Sequence, residues 1–252
     1  SGMKAVMLAH DSINAGTSSS VVAGGMESMS NAPHLLTKSR EGMRLGHGQI
    51  SDHMFLDGLE DAYDKGKLMG SFAENCAQKF NFSRESQDSF AIASLKKAKQ
   101  AIESGNFERE IVDVTIPRRS GDEIIRMDEQ PGKAKLDKIP LLKPAFAKDG
   151  TVTAANSSSI SDGAAAMIIS SIDDARAKKL APLAYILGHS SFAHEPAWFT
   201  TAPVEAIKRV VNQVGWKMGD VDLFEINEAF AVVTMAAIEE LNLEPNKVNI
   251  RG

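Results

Sequence analysis

Cysteine is nearly absent from this sequence, because the 252 residues contain only Cys76. A single cysteine cannot form a disulfide within the chain or a metal site of several thiolates, so we expect a protein of a reducing compartment. The sequence also lacks an apolar run of about 18 residues and an N-terminal signal pattern of charged and then apolar residues. These absences together predict a cytoplasmic protein with no membrane partner.

Basic residues are also fewer than acidic residues. Lys and Arg number 28 against 33 Asp and Glu, for a formal net charge of -5. Because nucleic-acid binding requires a basic face, we expect no nucleic-acid partner. None of the six histidines falls in a metal-binding spacing such as H-E-x-x-H, so no metal site is predicted. His34, His47 and His53 are interpreted as solvated loop residues.

The residues that are present indicate an α/β protein. Predicted strands at 21–23, 164–171, 184–187, 223–226 and 248–250 alternate with helical patterns. Repeated units of this kind predict a parallel sheet with helices on both faces. Residues 31 to about 150 change character and are interpreted as an inserted, loop-rich segment. Its clearest helix begins after Ser83 as N-cap and ends at Gly105. Beyond this segment, a capping box of Ser171 and Asp174 predicts the start of another helix.

Polar residues follow several predicted strands, where open parallel sheets bind ligands. Residues 24–27 are expected to form such a loop, as is the polar run 151–163. The carboxamide of Asn227 could hold a water or a substrate carbonyl, or it could cap the following helix. Residues 156–159 could line a polar ligand or form a turn. Lys133, Lys135 and Lys138 could meet phosphates or form a solvated face.

Four motifs occur in order across nearly the whole chain: VVAGGMESMSNAPH, MGSFAENCA, GTVTAANSSSISDGAAA and FEINEAFA. Together they resemble the thiolase family, most of all its biosynthetic branch, the acetyl-CoA acetyltransferases. That branch joins two acetyl-CoA into acetoacetyl-CoA by a Claisen condensation. The degradative 3-ketoacyl-CoA thiolases are a near alternative. An alternative of another class is a non-catalytic thiolase-like subunit that serves binding or assembly.

The resemblance implies the five-layer αβαβα thiolase fold, with two similar halves and a loop domain inserted in the first. Residues 1–30 and 159–180 would be the remainder of the N-terminal half. Residues 31–158 would be the inserted domain that binds coenzyme A, and 181–252 would start the C-terminal half. Coenzyme A thioesters would be substrates, with no separate cofactor. A homo-oligomer, either a dimer or a tetramer, is implied as well.

The resemblance also implies roles for individual residues. Asn227 would be catalytic, holding a water that stabilises the oxyanion of the reaction. Ser158 would hydrogen-bond the pantetheine arm of coenzyme A, beside the ring of Phe146. The full set implied to bind substrate or coenzyme A is Leu59, Met69, Lys133, Lys138, Phe146, Ser158 and Phe230.

The family's nucleophilic cysteine begins a helix, in a motif whose later residues match Ser1 to Ala5 here. Both ends of the chain are therefore expected to be truncated, and the chain alone is expected to be inactive. Cys76 instead lies at helical spacing from other apolar residues and is interpreted as a core residue. Two positions depart from the family pattern and bear on substrate range and coenzyme A affinity. Leu68 stands where short-chain members usually have histidine, and Gly132 where many have arginine.

Overall fold

The computed structural model describes residues 1–252. The α-helices are α1 (Gly2–Asn14), α2 (Met69–Phe80), α3 (Arg84–Glu103), α4 (Glu129–Lys133), α5 (Ile172–Ala177), α6 (Ala202–Gln213) and α7 (Ala231–Leu241). The strands are β1 (Ser20–Ser28), β2 (His34–Leu36), β3 (Ile50–Asp52), β4 (Val114–Ile116), β5 (Glu123–Ile125) and β6 (Asp162–Ser170). A π-helical turn spans Phe55–Leu59 and a 3-10 turn spans Leu136–Leu141. No helix combines the length and the apolar character that crossing a bilayer would take.

The chain forms two compact units, each assembled from separate segments. The first unit comprises Ser1–Met69, Ser159–Ser191 and Arg209–Gly215, and it contains α1, β1 and β6. The second unit comprises Gly70–Ser158, Phe192–Lys208 and Trp216–Gly252, and it contains α3 and α7. The predicted division into parts of two thiolase halves and an inserted domain stays a prediction.

Helix ends lie where the sequence places them, because capping groups act locally. Ser83 accepts a hydrogen bond from the backbone N–H of Ser86 at the start of α3, and Gly105 follows the end of α3 with φ of 69°. Ser171 caps α5 by accepting from the N–H of Asp174. The predicted starts of both helices and the end of α3 are thereby confirmed.

The predicted loop at Gly24 and Gly25 is wrong, because β1 continues through both glycines to Ser28. The two glycines serve close packing. A Cβ on Gly24 would collide with the carbonyl oxygen of Ala165 in the paired strand. A Cβ on Gly25 would lie 2.9 Å from the Cα of Gly2 in α1, so α1 packs backbone to backbone against β1.

The prediction of a parallel sheet is wrong for the strands of this structure. Strands β1 and β6, β2 and β3, and β4 and β5 form three antiparallel pairs. The predicted strands at 223–226 and 248–250 reduce to one parallel bridge between Phe224 and Val248, and 184–187 forms no strand. An apolar run carries no information on strand direction, and the partner of β1 lies more than a hundred residues further along the chain.

The core of the second unit forms around α7, which is apolar on nearly every side. Its buried residues are Ala231, Val232, Val233, Thr234, Ala236 and Ala237. A helix that is apolar all round must be enclosed, and Phe224, Ile226 and Val248 are buried in the same cluster as Ala237. The short segment before Asn227 is therefore anchored by its own side chains.

The close packing at Gly24 predicts a large difference between two glycine substitutions in one strand pair. Gly24→Ala should lower the free energy of unfolding by about 1–3 kcal/mol, since the added methyl meets backbone that cannot move aside. Gly163→Ala in β6 is the matched control, because no atom lies within 4 Å of its added Cβ. Its effect should stay within about 0.5 kcal/mol. Urea denaturation measures both, and equal effects would contradict the packing argument.

Candidate functional site

The segment before Asn227 is held by hydrogen bonds as well as by packing. The backbone of Phe224 donates to the carbonyl of Lys247 at 2.9 Å and accepts from the N–H of Asn249 at 2.9 Å. Backbone pairing between the two segments ends with these bonds of Phe224. The side chain of Asn249 continues it, because its Oδ1 accepts from the N–H of Ile226 and its Nδ2 donates to the carbonyl of Ile226, both at 2.8 Å.

Glu228 fixes the chain on the other side of Asn227. Its carboxylate accepts from Ser94 Oγ and from Asn249 Nδ2, both at 2.7 Å. The Asn249 amide thereby uses its acceptor oxygen and both N–H donors within the protein. Ile226 and Glu228 are both tied to one buried side chain, so the residue between them has a defined backbone position.

Asn227 itself is exposed, and its carboxamide has no hydrogen-bond partner in the chain. The alternative that Asn227 caps the following helix is wrong, because α7 begins at Ala231 with Phe230 as its N-cap residue. The N–H of Ala231 is satisfied by the carbonyl of Asn156 instead, at 2.9 Å. The Asn227 carboxamide makes no hydrogen bond within the chain and sits on a fixed backbone, so it is available to bind a ligand or a water.

The predicted ligand residue Ser158 lies beside this segment. Its hydroxyl donates to the carbonyl of Glu228 at 2.7 Å, and its backbone N–H donates to the carbonyl of Ala229 at 3.0 Å. Ser157 forms a β-bridge with Phe230. Ser158 is exposed, and a donating hydroxyl keeps lone pairs that can accept from a ligand.

Two predicted aromatic residues meet at the same place. The rings of Phe146 and Phe230 pack edge to face with centroids 6.1 Å apart. Phe146 also lies directly over Gly70, where any Cβ would overlap its ring. Phe230 precedes α7 in extended backbone, as its N-cap residue. The structure thus brings together Asn227, Ser158, Phe146 and Phe230 in the second unit.

Two buried carboxylates organise the polar run that carries Ser158. Glu74 of α2 accepts from the N–H and hydroxyl of Thr151 and from the N–H of Val152, at 2.8–3.1 Å. Asp88 of α3 accepts from Asn156 Nδ2 at 3.2 Å and pairs with Arg84 at 2.7 Å. Asn156 is buried and fully engaged, so within the run 156–159 it supports the backbone rather than lining a ligand.

The other predicted ligand residues lie outside this group. Lys133, at the end of α4, is exposed and pairs with Glu129, and Lys138 is exposed on the 3-10 turn that follows. Leu59, the last residue of the π-helical turn, and Met69, the first residue of α2, are half-buried and belong to the first unit. Their contact with a ligand stays a prediction.

Cys76 is a core residue, as its helical spacing predicts. It lies in α2 with no exposed surface, and its thiol faces the carbonyl of Val232 at 3.9 Å. Burial raises the pKa of the Cys76 thiol, although the neighbouring Thr200 side chain acts in the opposite direction. A protonated, enclosed thiol is a poor nucleophile.

Sequence reasoning missed the residues that support the site. Asn249, Ser94, Glu74 and Glu228 were not singled out. Asn249 has left-handed backbone, with φ of 45°, which asparagine tolerates better than most residues. That tolerance is the only signal that the residue type itself gives. Their partners lie more than twenty residues away along the chain, and no spacing rule reaches that far.

Comparison with known proteins agrees with the motifs. The family model described as "Thiolase, N-terminal domain" matches residues 1–173, and "Thiolase, C-terminal domain" matches residues 180–252. The chain belongs to the thiolase family. It is 45% identical over 254 aligned residues to an acetyl-CoA acetyltransferase of Cupriavidus necator, covering 100% of this chain and 64% of that protein.

Solved structures match this thiolase chain along its whole length. A crystal structure of the Bacillus anthracis acetyl-CoA acetyltransferase aligns with a TM-score of 0.95 at 42% identity. A thiolase from Ascaris suum, in complex with coenzyme A, aligns with a TM-score of 0.93 at 39% identity. Each match covers 100% of this chain and 64% of the other. The predicted α/β thiolase fold is confirmed, and the chain spans 64% of the length of these relatives.

The role of Asn249 predicts a destabilisation that backbone strain alone cannot cause. Asn249→Ala should lower the free energy of unfolding by about 2–3 kcal/mol, because it leaves the buried N–H and carbonyl of Ile226 unpaired and removes one bond to the half-buried Glu228 carboxylate. Asn242→Ala is the matched control, since Asn242 has the same left-handed backbone, with φ of 49°, but is exposed and makes no side-chain hydrogen bond. Urea unfolding of both variants isolates the hydrogen bonds. Equal losses would assign the effect to backbone strain.

Proposed function

We propose that this chain is the part of a thiolase that binds a coenzyme A thioester and positions the oxyanion-stabilising water. The complete enzyme would be an acetyl-CoA C-acetyltransferase. It would join two acetyl-CoA into acetoacetyl-CoA, with release of coenzyme A, through an acyl-cysteine intermediate. The observation that carries the proposal is the free, exposed carboxamide of Asn227 between two neighbours held by Asn249.

The proposed role of Asn227 is electrostatic. A carboxamide can hold a water next to a thioester or enolate oxygen, and the dipole then stabilises the negative charge that develops there. Such a group is most effective when it needs no reorganisation during the reaction, and the fixed backbone of Ile226 and Glu228 supplies that condition. Loss of one oxyanion donor typically costs about 3–4 kcal/mol of transition-state stabilisation.

The proposed ligand contacts follow the chemistry of coenzyme A. The lone pairs of Ser158 can accept an amide N–H of the pantetheine arm, and the rings of Phe146 and Phe230 offer an apolar wall beside it. Lys133 and Lys138 carry the positive charge that the nucleotide phosphates require. Leu59 and Met69 are proposed as further apolar contacts. The coenzyme A complex of the Ascaris suum thiolase supports a ligand of this class.

Turnover is not proposed for these 252 residues alone. Their single thiol, on Cys76, is buried and has a raised pKa, so the chain itself provides no accessible cysteine for acyl transfer. A degradative thiolase and a non-catalytic thiolase-like subunit are the alternatives that kinetics must separate. Homo-oligomerisation and a cytoplasmic location stay predictions.

Binding of coenzyme A to the chain tests the proposed ligand contacts. Isothermal titration calorimetry with coenzyme A should show Lys138→Glu and Ser158→Ala weakening binding by roughly fivefold each, which corresponds to about 1 kcal/mol. Lys96→Glu is the control, because it makes the same charge change at an exposed residue of α3 that is not among the predicted contacts. An equal loss in the control would indicate only a general charge effect and would reject Lys138 as a contact.

Kinetics of the complete thiolase test the catalytic role of Asn227. Asn227→Ala should lower kcat by about a hundredfold to a thousandfold on acetoacetyl-CoA, with coenzyme A affinity unchanged, since the lost interaction acts on the oxyanion. Asn242→Ala controls for the loss of an asparagine elsewhere in the unit. An unchanged kcat would overturn the assignment. Preference for a long-chain 3-ketoacyl-CoA would favour the degradative class, and no turnover at all would favour a binding subunit.

A further inference from the structure

Two histidines and an aspartate that have no assigned role in thiolase chemistry meet in the first unit. His10 and Asp11 lie in the last turns of α1, and His189 comes from the segment before residue 191. One ligand atom from each of the three lies within 4.8 Å of the other two. Asp11 Oδ1 is 2.7 Å from His189 Nε2 and 3.6 Å from His10 Nδ1.

The segment that carries His189 is held against α1 by more than this contact. Lys4 Nζ donates to Ser191 Oγ at 3.2 Å, and Ser191 Oγ lies 3.9 Å from Met7 Sδ. Lys4, Met7 and Asp11 follow one another at intervals of one helical turn, so the segment runs along one face of α1. The position of His189 is therefore set by its surroundings as well as by Asp11.

The exposure of the three side chains suits a cation that enters from solvent. The side chains of His10 and His189 are 20% and 23% exposed, and that of Asp11 is 57% exposed. The half-buried imidazoles offer fixed nitrogens, and the open carboxylate leaves a path from solvent.

A hydrogen-bonded His189–Asp11 pair accounts for only part of this arrangement. The second imidazole packs edge to face on the first, with ring centroids 5.2 Å apart, although His10 Nδ1 is too far from Asp11 for a hydrogen bond. Asn14 Nδ2 lies 3.1 Å from His10 Nε2. Rotation of that amide by half a turn would let Asn14 accept from Nε2–H, which is how ligating histidines are commonly oriented.

We propose that His10, Asp11 and His189 bind one divalent transition-metal ion of the zinc type, and that the ion joins α1 to the segment of His189. Two imidazole nitrogens with one carboxylate oxygen suit Zn²⁺ or Ni²⁺ better than Mg²⁺ or Ca²⁺. Ligand atoms of a tetrahedral Zn²⁺ stand roughly 3.3 Å apart, given metal–ligand bonds of about 2.0–2.1 Å. The two distances from Asp11, 2.7 Å and 3.6 Å, bracket that value. All three ligand atoms lie within 4.8 Å of one another, so side-chain rotations would bring them to tetrahedral spacing.

The ion would displace the proton between His189 and Asp11. Three protein ligands leave one position of a tetrahedral ion for water. A short sequence motif cannot reveal this site, because Asp11 and His189 are 178 residues apart. The site is independent of the proposed acyl transfer, since none of its residues belongs to the coenzyme A or oxyanion set.

Zinc binding to the 252-residue chain tests the proposal. Calorimetric titration with Zn²⁺ against a competing chelator should give one ion per chain. His10→Gln, Asp11→Asn and His189→Gln should each weaken binding by about tenfold or more. His47→Gln is the matched control, because it removes an exposed histidine of the same unit and should leave binding unchanged. Zn²⁺ should also raise the thermal midpoint of the wild-type chain but not that of the three variants.

Two further measurements keep the test decisive. The visible spectrum of bound Co²⁺ should show a tetrahedral site that the three variants lose and His47→Gln retains. Circular dichroism without metal shows which variants fold, and only folded variants are compared. The proposal is overturned if the wild-type chain binds no stoichiometric zinc. Binding that falls equally in His47→Gln, or survives in every folded variant, would equally overturn it and indicate an adventitious ion only.

Discussion

The candidate site depends on one side chain, the amide of Asn249. Strand pairing ends at Phe224, and beyond it the backbone of Ile226 has no other partner in the chain. The Asn249 amide replaces the missing strand, and its remaining N–H holds Glu228. Buried polar groups are costly when unpaired, so this small set of bonds strongly favours a single backbone path. Asn227 is left as the one carboxamide there that the fold does not use.

Irregular backbone around a binding site has to be satisfied by side chains, because it has no ladder of its own. Glu74 of α2 and Asp88 of α3 satisfy the polar groups of the run from Thr151 to Asn156. Both helices precede that run in the sequence. Ser158, two residues after this run, then hydrogen-bonds the carbonyls of Glu228 and Ala229 before α7. Buried acidic and amide groups thus carry the support, and exposed hydroxyl, carboxamide and aromatic groups are left for a ligand.

Local chemistry could be predicted from the sequence, and long-range pairing could not. Ser83 and Ser171 cap helices through groups three residues away, and Cys76 belongs to an apolar helical face, so both predictions are confirmed. Gly24 looked like a turn residue because glycine marks turns and close contacts alike. Which of the two applies depends on Ala165, far along the chain. The pairings of Asn249 with Glu228 and of Asp11 with His189 are hidden for the same reason.

Different interactions hold the two ends of helix α1. Near its start, the glycine backbones of Gly2 and Gly25 approach more closely than any larger residue would permit. Near its end, Asp11 is tied to His189 by a charge-assisted hydrogen bond. Asp11 lies nine positions after Gly2, which corresponds to about 14 Å along the helix axis. In the proposed thiolase the helix N-terminus serves the chemistry, because its dipole favours a thiolate. At that distance an ion at the far end of α1 would act on the stability and orientation of the helix rather than directly on groups at its N-terminus.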